Sequence, residues 1–343
     1  MIRKGYLLNR WTIIASERAR RPTDFIVTRK KRTEKGPCPF CPGNERLTPQ
    51  AVLAYLPSRR GIVRHRDSDG ERATGWLIRA IPNLYPALLP SNKFEVKTHG
   101  LYTRGTATGY HEVLIESPNH DEHPGTARID QLSLVIRGYI DRLKEFARSP
   151  VVRYVSIFRN HGREAGASLS HAHSQIIATP MVPAMIEAEV AAFRKYHKDR
   201  GRCIFCDIIR CEAKGSRLIF ENEHYIAFTP WASVCPFEFW LLPKGHMACM
   251  SELTDSRDIR SLAYSLRKCF GGLRRLLNDP PYCSGFHIAP VEEESYHWHL
   301  EVYPKLSQLG GFEKSTGMFI NTMSPEDAAQ SLREAVKREL VSR

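Results

Sequence analysis

Asn160-His161-Gly162-Arg163-Glu164-Ala165-Gly166-Ala167-Ser168-Leu169-Ser170-His171-Ala172-His173-Ser174-Gln175 carries two glycines, small polar residues and a His-x-His-x-Gln tail that feeds an apolar run. It reads as a loop able to cradle a phosphate, emptying into a strand that presents imidazoles. Residues two apart on a strand share a face, so His171 and His173 would point the same way. Neutral imidazole is nucleophilic near pH 7 and can form a covalent phosphoramidate, but such pairs are also metal ligands or core residues. The rest of the chain has to separate these uses.

Matching spacings lie on either side of this stretch. Eight residues separate Glu112 from His120, and eight separate Glu238 from His246; 51 separate His120 from His171, and 51 separate His246 from His297. Each half contains a C-x-x-C pair (Cys38/Cys41 and Cys203/Cys206) and ends in a His-x-His pair, the second being His297-Trp298-His299. Such agreement predicts a duplicated unit of strands plus one crossing helix. The expected fold is α+β, with two halves (residues 1–190 and 191–343), each built on an antiparallel sheet with a crossing helix.

Within this frame, strands are expected over Tyr6 to Ala15, Trp76 to Ile81, Val113 to Ile115, Val151 to Phe158, Glu238 to Leu242 and Ser284 to Ala289. Helices are expected where Ile129, Leu132, Val135, Ile136, Tyr139, Ile140 and Leu143, and later Ile259, Leu262, Leu266 and Leu273, recur at helical spacing. Leu88 to Thr108 reads as a patternless insertion. Lys195 to Arg202 reads as a surface connection.

The 343 residues, 42% hydrophobic and 25% charged, are ordinary for a globular chain. No stretch approaches the roughly 18 apolar residues of a membrane span. Met1-Ile2-Arg3-Lys4-Gly5 leads into strand-like sequence and not into an apolar leader, so a cytoplasmic protein is expected. The net charge of +13 favours anionic partners: nucleotides, phosphorylated sugars or, less favoured because the charge is dispersed, nucleic acid.

Nine cysteines in such a compartment argue against a disulfide framework; the four in C-x-x-C pairs point to metal, and the other five read as buried small hydrophobes. Cys38, Cys41, His120 and His171 make one expected Cys2His2 set, and Cys203, Cys206, His246 and His297 the other. Zinc suits both, and iron is an alternative in the second. If the first histidine of each pair is a ligand, His173 and His299 remain for chemistry. Glycines and Ser168 precede His173, whereas Glu292, Glu293 and Glu294 precede His299 and would repel a phosphate. His173 is therefore the expected nucleophile, with Gln175 able to donate to a phosphoryl oxygen. His299 is assigned a structural or second-site role, and His287 and Glu301 could extend a second metal site.

Cys203-Ile204-Phe205-Cys206 with Pro243-Lys244-Gly245-His246 resembles the opening of histidine-triad proteins. Asn160 through Gln175 and Arg18-Ala19-Arg20-Arg21-Pro22 resemble the galactose-1-phosphate uridylyltransferase family, a duplicated transferase branch of that superfamily. The resemblance spans about Arg10 to Glu334. It implies ping-pong transfer of UMP from UDP-glucose to galactose 1-phosphate through a histidine at His173. It also implies that Asn160, Gly166, Ser168 and Gln175 hold phosphates, that Arg18 and Arg21 meet phosphate charge, and that Asn83 approaches the nucleotide. Lys314 and Asn321 fall in the segment for the sugar phosphate, and the family is usually homodimeric, the partner completing the site. Ala172 stands where the family's commonest signature has Pro, and Leu169-Ser170 where it has Asn-Pro. His-Ala-His-Ser-Gln, Asn83 to Ala87 and Gly310-Gly311-Phe312-Glu313 also resemble ADP-glucose phosphorylase, an adenylyl-transferring relative with inorganic phosphate as acceptor. A metal-stabilised nucleotide- or nucleic-acid-binding protein without transfer activity is the alternative of a different class.

Overall fold

The structure is a computed structural model that describes residues 1–18, 25–26, 36–68 and 70–340. The chain runs β1 (Ile2–Lys4), β2 (Trp11–Ile14), β3 (Leu53–Ser58), β4 (Gly61–His65), β5 (Ile78–Pro82), β6 (Val96–His99), β7 (Tyr102–Gly105), β8 (Tyr110–Ile115), α1 (Ile129–Phe146), β9 (Tyr154–His161) and β10 (His173–Thr179). It continues through α2 (Ala184–Arg200), α3 (Ile204–Glu212), β11 (Leu218–Glu221), β12 (Tyr225–Phe228), β13 (Phe239–Pro243), α4 (Ser256–Leu277), β14 (Tyr282–His287), β15 (His299–Pro304), α5 (Gly311–Thr316), β16 (Phe319–Asn321) and α6 (Pro325–Arg338).

The α+β class holds, and the antiparallel strands of the two halves join into a single sheet. Eleven antiparallel strands form one continuous sheet in the order β11-β12-β13-β15-β14-β9-β10-β8-β5-β3-β4. The two halves meet at the β9–β14 pair, where Tyr282 faces His161 and Phe286 faces Ile157. Joining edges in this way pairs two rows of backbone groups that would otherwise be exposed.

One face of the sheet is covered by α1 and α4. The apolar stripe of α1 buries Leu132, Val135, Ile136, Tyr139, Ile140 and Leu143. Gly138 lets the helix sit close to the sheet: a Cβ there would fall 2.7 Å from Ile78 Cδ1 and 2.9 Å from Leu114 Cδ1. α4 starts at Asp255, whose carboxylate accepts from the Arg257 N–H at 2.8 Å, and stops at Asn278 in the left-handed region. Among the described residues, no helix is long and apolar enough to cross a membrane.

Four expectations are corrected. Tyr6 to Ala15 is not one strand, because Gly5 N–H bonds Arg10 O at 2.9 Å and closes a turn between β1 and β2. The stretch from Leu88 to Thr108 is not patternless, since it contains the β6–β7 hairpin with Thr98 opposite Thr103. Lys195 to Arg202 is the end of α2 followed by its Gly201 cap, and that helix buries Ile186, Glu189, Val190 and Phe193. The strand before the opening stretch ends at His161 rather than Phe158.

Candidate functional site

Alternation along β10 places His173 and Gln175 on one face and Ser174 on the other. Gln175 lies opposite Val113 on β8 and Phe158 on β9, and His173 opposite Ile115. Asn160, two residues beyond Phe158, belongs to the same face. His173 is 8% exposed. Its Nδ1 lies 2.7 Å from the carbonyl oxygen of His171, which can only accept, so Nδ1 carries the proton and Nε2 keeps a lone pair. Burial pushes the imidazole below its ordinary value; the His171 carbonyl opposes this, Arg159 adds to it, and Glu116 opposes it. The ring is therefore neutral near pH 7.

Behind the strand, Ser174 Oγ donates to Glu116, which also accepts from Tyr139 OH at 3.1 Å and pairs with Arg159. Arg159 Nη2 lies 3.0 Å from His123 Nδ1. This buried cluster ties β8, β9, β10 and α1 together beneath His173. A cavity of about 30 Å³ touches Glu116, Tyr139, Arg159 and Ser174.

The turn before His173 differs from the open cradle expected. Ala165, Gly166 and Ala167 direct their N–H groups to Gly162 O, Arg163 O and Gly162 O, so those amides hold the turn itself. Gly166 has φ +89°, and a Cβ there would sit 3.5 Å from Asn160 Nδ2. Ser168 is exposed and has an interacting partner.

The expected ligand sets do assemble. Sγ of Cys38 and Cys41 and ring nitrogens of His120 and His171 lie within 4.8 Å of one another, as do those of Cys203, Cys206, His246 and His297. In the first set, Cys41 Sγ is 3.3 Å from His120 Nδ1 and 3.6 Å from His171 Nδ1, and Cys38 Sγ is 3.7 Å from His171 Nδ1. In the second, Cys206 Sγ is 3.9 Å from His246 Nδ1 and 3.7 Å from His297 Nδ1. The opposite nitrogens are anchored: His171 Nε2 donates to Ser117 O at 2.8 Å and His297 Nε2 to Pro243 O at 2.9 Å, which turns Nδ1 toward the thiols. The Cys206 thiol is held well below its usual range by the hydrogen bond from Cys203 and then by His297. Phe40, inside the first C-x-x-C, sets its ring edge-on to both His171 and His173, at 6.1 and 5.4 Å.

Asn83 follows β5, bonds His111 O through its N–H at 2.8 Å, and reaches His111 Nε2 with Nδ2 at 3.1 Å. Asn321 is 1% exposed in the separate β1-β2-β16 sheet, with Nδ2 donating to Ser233 O and Cys235 O and Oδ1 accepting from Met323 N–H. Its amide is thus spent on the fold, which corrects the expectation that it meets a sugar phosphate. Lys314 is exposed on α5. Arg18 closes a 3-10 turn from Ser16, and Arg21 lies outside the described residues.

The family model described as a domain of unknown function, DUF4921, matches residues 116–342. An ADP-glucose phosphorylase of Arabidopsis thaliana is 34% identical over 97% of this chain and 92% of its own. A galactose-1-phosphate uridylyltransferase of Thermotoga maritima is 27% identical over 97% and 98%. A crystal structure of an ADP-glucose phosphorylase from Arabidopsis thaliana with bound ADP-glucose superposes with a TM-score of 0.80 at 30% identity, covering 97% of this chain and 98% of that one.

The chain belongs to the galactose-1-phosphate uridylyltransferase family. It stands thereby among nucleotidyltransferases.

For this family member the sequence read one cluster in part, through His287, His299 and Glu301 but without Glu189. His287 and Glu301 do not extend the Cys203 set; with Glu189 and His299 they form a separate group whose ligand atoms lie within 4.8 Å of one another and could hold a cation. Glu189 accepts from Tyr296 OH at 2.7 Å and lies 3.0 Å from His287 Nδ1. Burial opposes the charge on His287, but Glu301 and then Glu189 lift it to about 9. Glu189 carried no sequence signal because it lies on α2, at the boundary drawn between the two halves. His111 was also missed: no motif marks it, and its role depends on strand register.

Proposed function

We propose that the protein transfers a nucleoside monophosphate between phosphate oxygens through a covalent His173 intermediate, acting on hexose 1-phosphates. The observation that carries this reading is the Nδ1–H bond from His173 to the His171 carbonyl, which leaves the Nε2 lone pair on the face shared with Gln175. Nε2 attacks the α-phosphorus of a sugar nucleotide, an N–P bond forms, and the hexose 1-phosphate leaves with the electron pair of the broken P–O bond. In the second half, a phosphate oxygen of the acceptor attacks phosphorus, the N–P bond breaks, and Nε2 recovers its lone pair. No proton has to move, so the Nδ1–H can stay on the His171 carbonyl and spread the positive charge of the adduct. Gln175 is assigned to donate to the phosphoryl oxygens, and Asn160, Gly166 and Ser168 to border them.

UDP-glucose with galactose 1-phosphate as acceptor is the leading substrate pair. The adenylyl reading, with ADP-glucose and inorganic phosphate, is favoured by the 34% identical ADP-glucose phosphorylase. Incubation with each sugar nucleotide and measurement of intact mass separates the two, since the donor leaves its monophosphate on the protein and His173→Ala abolishes the gain. An adduct that survives in His173→Ala sinks the nucleophile assignment.

Zinc is the assigned occupant of both Cys2His2 sets. Tetrahedral Zn–S and Zn–N bonds of about 2.3 and 2.0 Å separate S and N ligands by roughly 3.5 Å, and the separations of 3.3 to 3.9 Å fit. A bound ion would supply rigidity, holding the Phe40 knuckle against His173, and takes no part in bond making. We also assign residues 1–190 and 191–343 to two copies of one ancestral unit. In support, strand order reads β9-β10-β8-β5-β3 in one direction from the central pair and β14-β15-β13-β12-β11 in the other. A homodimer, with Lys314 reaching the partner's site, completes the proposal.

A further inference from the structure

We propose that His111 is a positioning residue, which orients the Gln175 side-chain amide so that its N–H groups, and not its carbonyl, face the ligand. This rests on the transfer reading above and adds a residue that neither the repeat nor any motif marks. His111 lies on β8 opposite Ile177, diagonal to Gln175 on the same face. The backbone N–H of Ala87 donates to His111 Nδ1 at 3.1 Å. A backbone N–H is a fixed donor, so Nδ1 must keep a lone pair and the single imidazole proton sits on Nε2. Nε2 lies 2.8 Å from Gln175 Oε1, and its proton is therefore donated to that oxygen.

The consequence is an orientation lock. A glutamine amide has two rotamers of nearly equal shape that exchange oxygen and nitrogen, and packing distinguishes them poorly. With Oε1 engaged by His111, Nε2 is presented on the other side, along the face that carries His173. In the flipped amide two N–H donors would meet, and a carbonyl would be aimed at the phosphoryl oxygens. Asn83 Nδ2, 3.1 Å from the same His111 nitrogen, does not change the assignment. Asn83 Oδ1 is fixed by the Tyr85 N–H at 2.9 Å, and an amide nitrogen has no lone pair to accept the His111 proton. Ala87, His111 and Gln175 thus form a relay of fixed hydrogen-bond polarity that starts at a main-chain amide, with Asn83 Nδ2 beside it as a second donor and not a link.

The test compares His111→Gln, which keeps a donor near the Nε2 position, with His111→Met, of similar bulk but no donor, and His111→Glu, which offers only acceptors. Single-turnover formation of the protein–nucleotide adduct is followed by intact mass with UDP-glucose and ADP-glucose. His111→Met is expected to slow the chemical step by about 10- to 100-fold with sugar-nucleotide Kd changed less than about threefold, and His111→Glu to slow it further. His111→Gln should recover most of the rate. In a Gln175→Ala background, His111→Met should have no further effect, because both changes remove the same donor. Long-range ¹H–¹⁵N spectra of the unmodified protein should show His111 with its proton on Nε2. Wild-type rates in His111→Met, a full additional loss in the Gln175→Ala background, or an Nδ1-protonated His111 would each overturn the proposal. Wild-type protein that forms no adduct with either sugar nucleotide would instead remove the transfer reading, and this inference with it.

Discussion

Replacing Glu116 by leucine gives the most direct measure of the cluster beneath His173. The carboxylate accepts from Arg159, Ser174 and Tyr139, and the Glu116 and Arg159 side chains are 4% and 7% exposed. Breaking a buried pair by removing one partner costs about 3–5 kcal/mol, because the other charge stays desolvated. The hydroxyls of Ser174 and Tyr139 lose an acceptor but still bond each other, so their contribution is at most about 1 kcal/mol. The retained contact between Arg159 Nη2 and His123 Nδ1 keeps the total near the middle of this range, about 4 kcal/mol. Glu116→Leu/Arg159→Met removes both charges and should return to within about 1–2 kcal/mol of wild type. The assay is urea unfolding at fixed metal content, with Glu116→Leu, Arg159→Met and the double variant closing a cycle. A Glu116→Leu cost below about 1 kcal/mol, or a coupling below about 0.5 kcal/mol, would refute the claim that the pair is buried and mutually dependent.

Gly166→Ala, at φ +89°, should lose about 1–2 kcal/mol from a left-handed backbone, read as a lowered urea midpoint. Gly138→Ala gains helix propensity of up to about 1 kcal/mol, but its Cβ meets Ile78 and Leu114 inside 3 Å, and an overpacking cost of about 1–3 kcal/mol should prevail; a raised midpoint would contradict this. His173 has a folded pKa below its unfolded value, so the unfolded state binds more protons as pH falls below about 6.5; stability attributable to this group is present above that pH and is lost on acidification. The acid limb of adduct formation should accordingly lie below pH 6.5, and a limb above it would contradict a neutral, buried imidazole. Cys41→Ser should remove one metal per chain by elemental analysis and slow adduct formation through the Phe40 contact, whereas Cys206→Ser should remove the other with a smaller kinetic effect.

What was legible in the sequence was whatever had a fixed spacing. The two Cys/His clusters and the two buried helices followed from residues that recur at equal intervals. Single-residue contacts across strands had no such signature. Glu189 meets His287 across 98 residues and His111 meets Gln175 across 64, and both depend on register and helix placement. The Gly162–Ser168 turn misled for a different reason: glycine composition announces backbone freedom, but not whether the freed amides point outward or close the turn. The one continuous sheet was hidden because the pattern that identifies an edge strand does not say which other edge will cover it.

Under the transfer reading, the two His-x-His strands offer two imidazoles in matching positions with different access. His173 and His299 follow a candidate ligand by two residues, and each Nδ1 lies near the carbonyl of that ligand, at 2.7 and 3.3 Å. Their surroundings differ in what covers the sheet. Over β15, α2 brings Glu189 to the cluster, and the rings of Phe205, Trp240 and His287 lie 4.7, 5.2 and 4.8 Å from His299. His299 is 1% exposed, and its Nε2 is sealed without a hydrogen bond, 3.5 Å from Glu301. A phosphate brought there would have to displace a helix and face two carboxylates. At His173 the corresponding strand position after the imidazole is Gln175, neutral and able to donate, and the imidazole Nε2 is not among the sealed, unpaired atoms of the described residues. Under the transfer reading, Glu301 and α2 add to the acidic residues before His299 in keeping a phosphate from it: the first puts a negative charge where β10 has a donor, and the second covers the face.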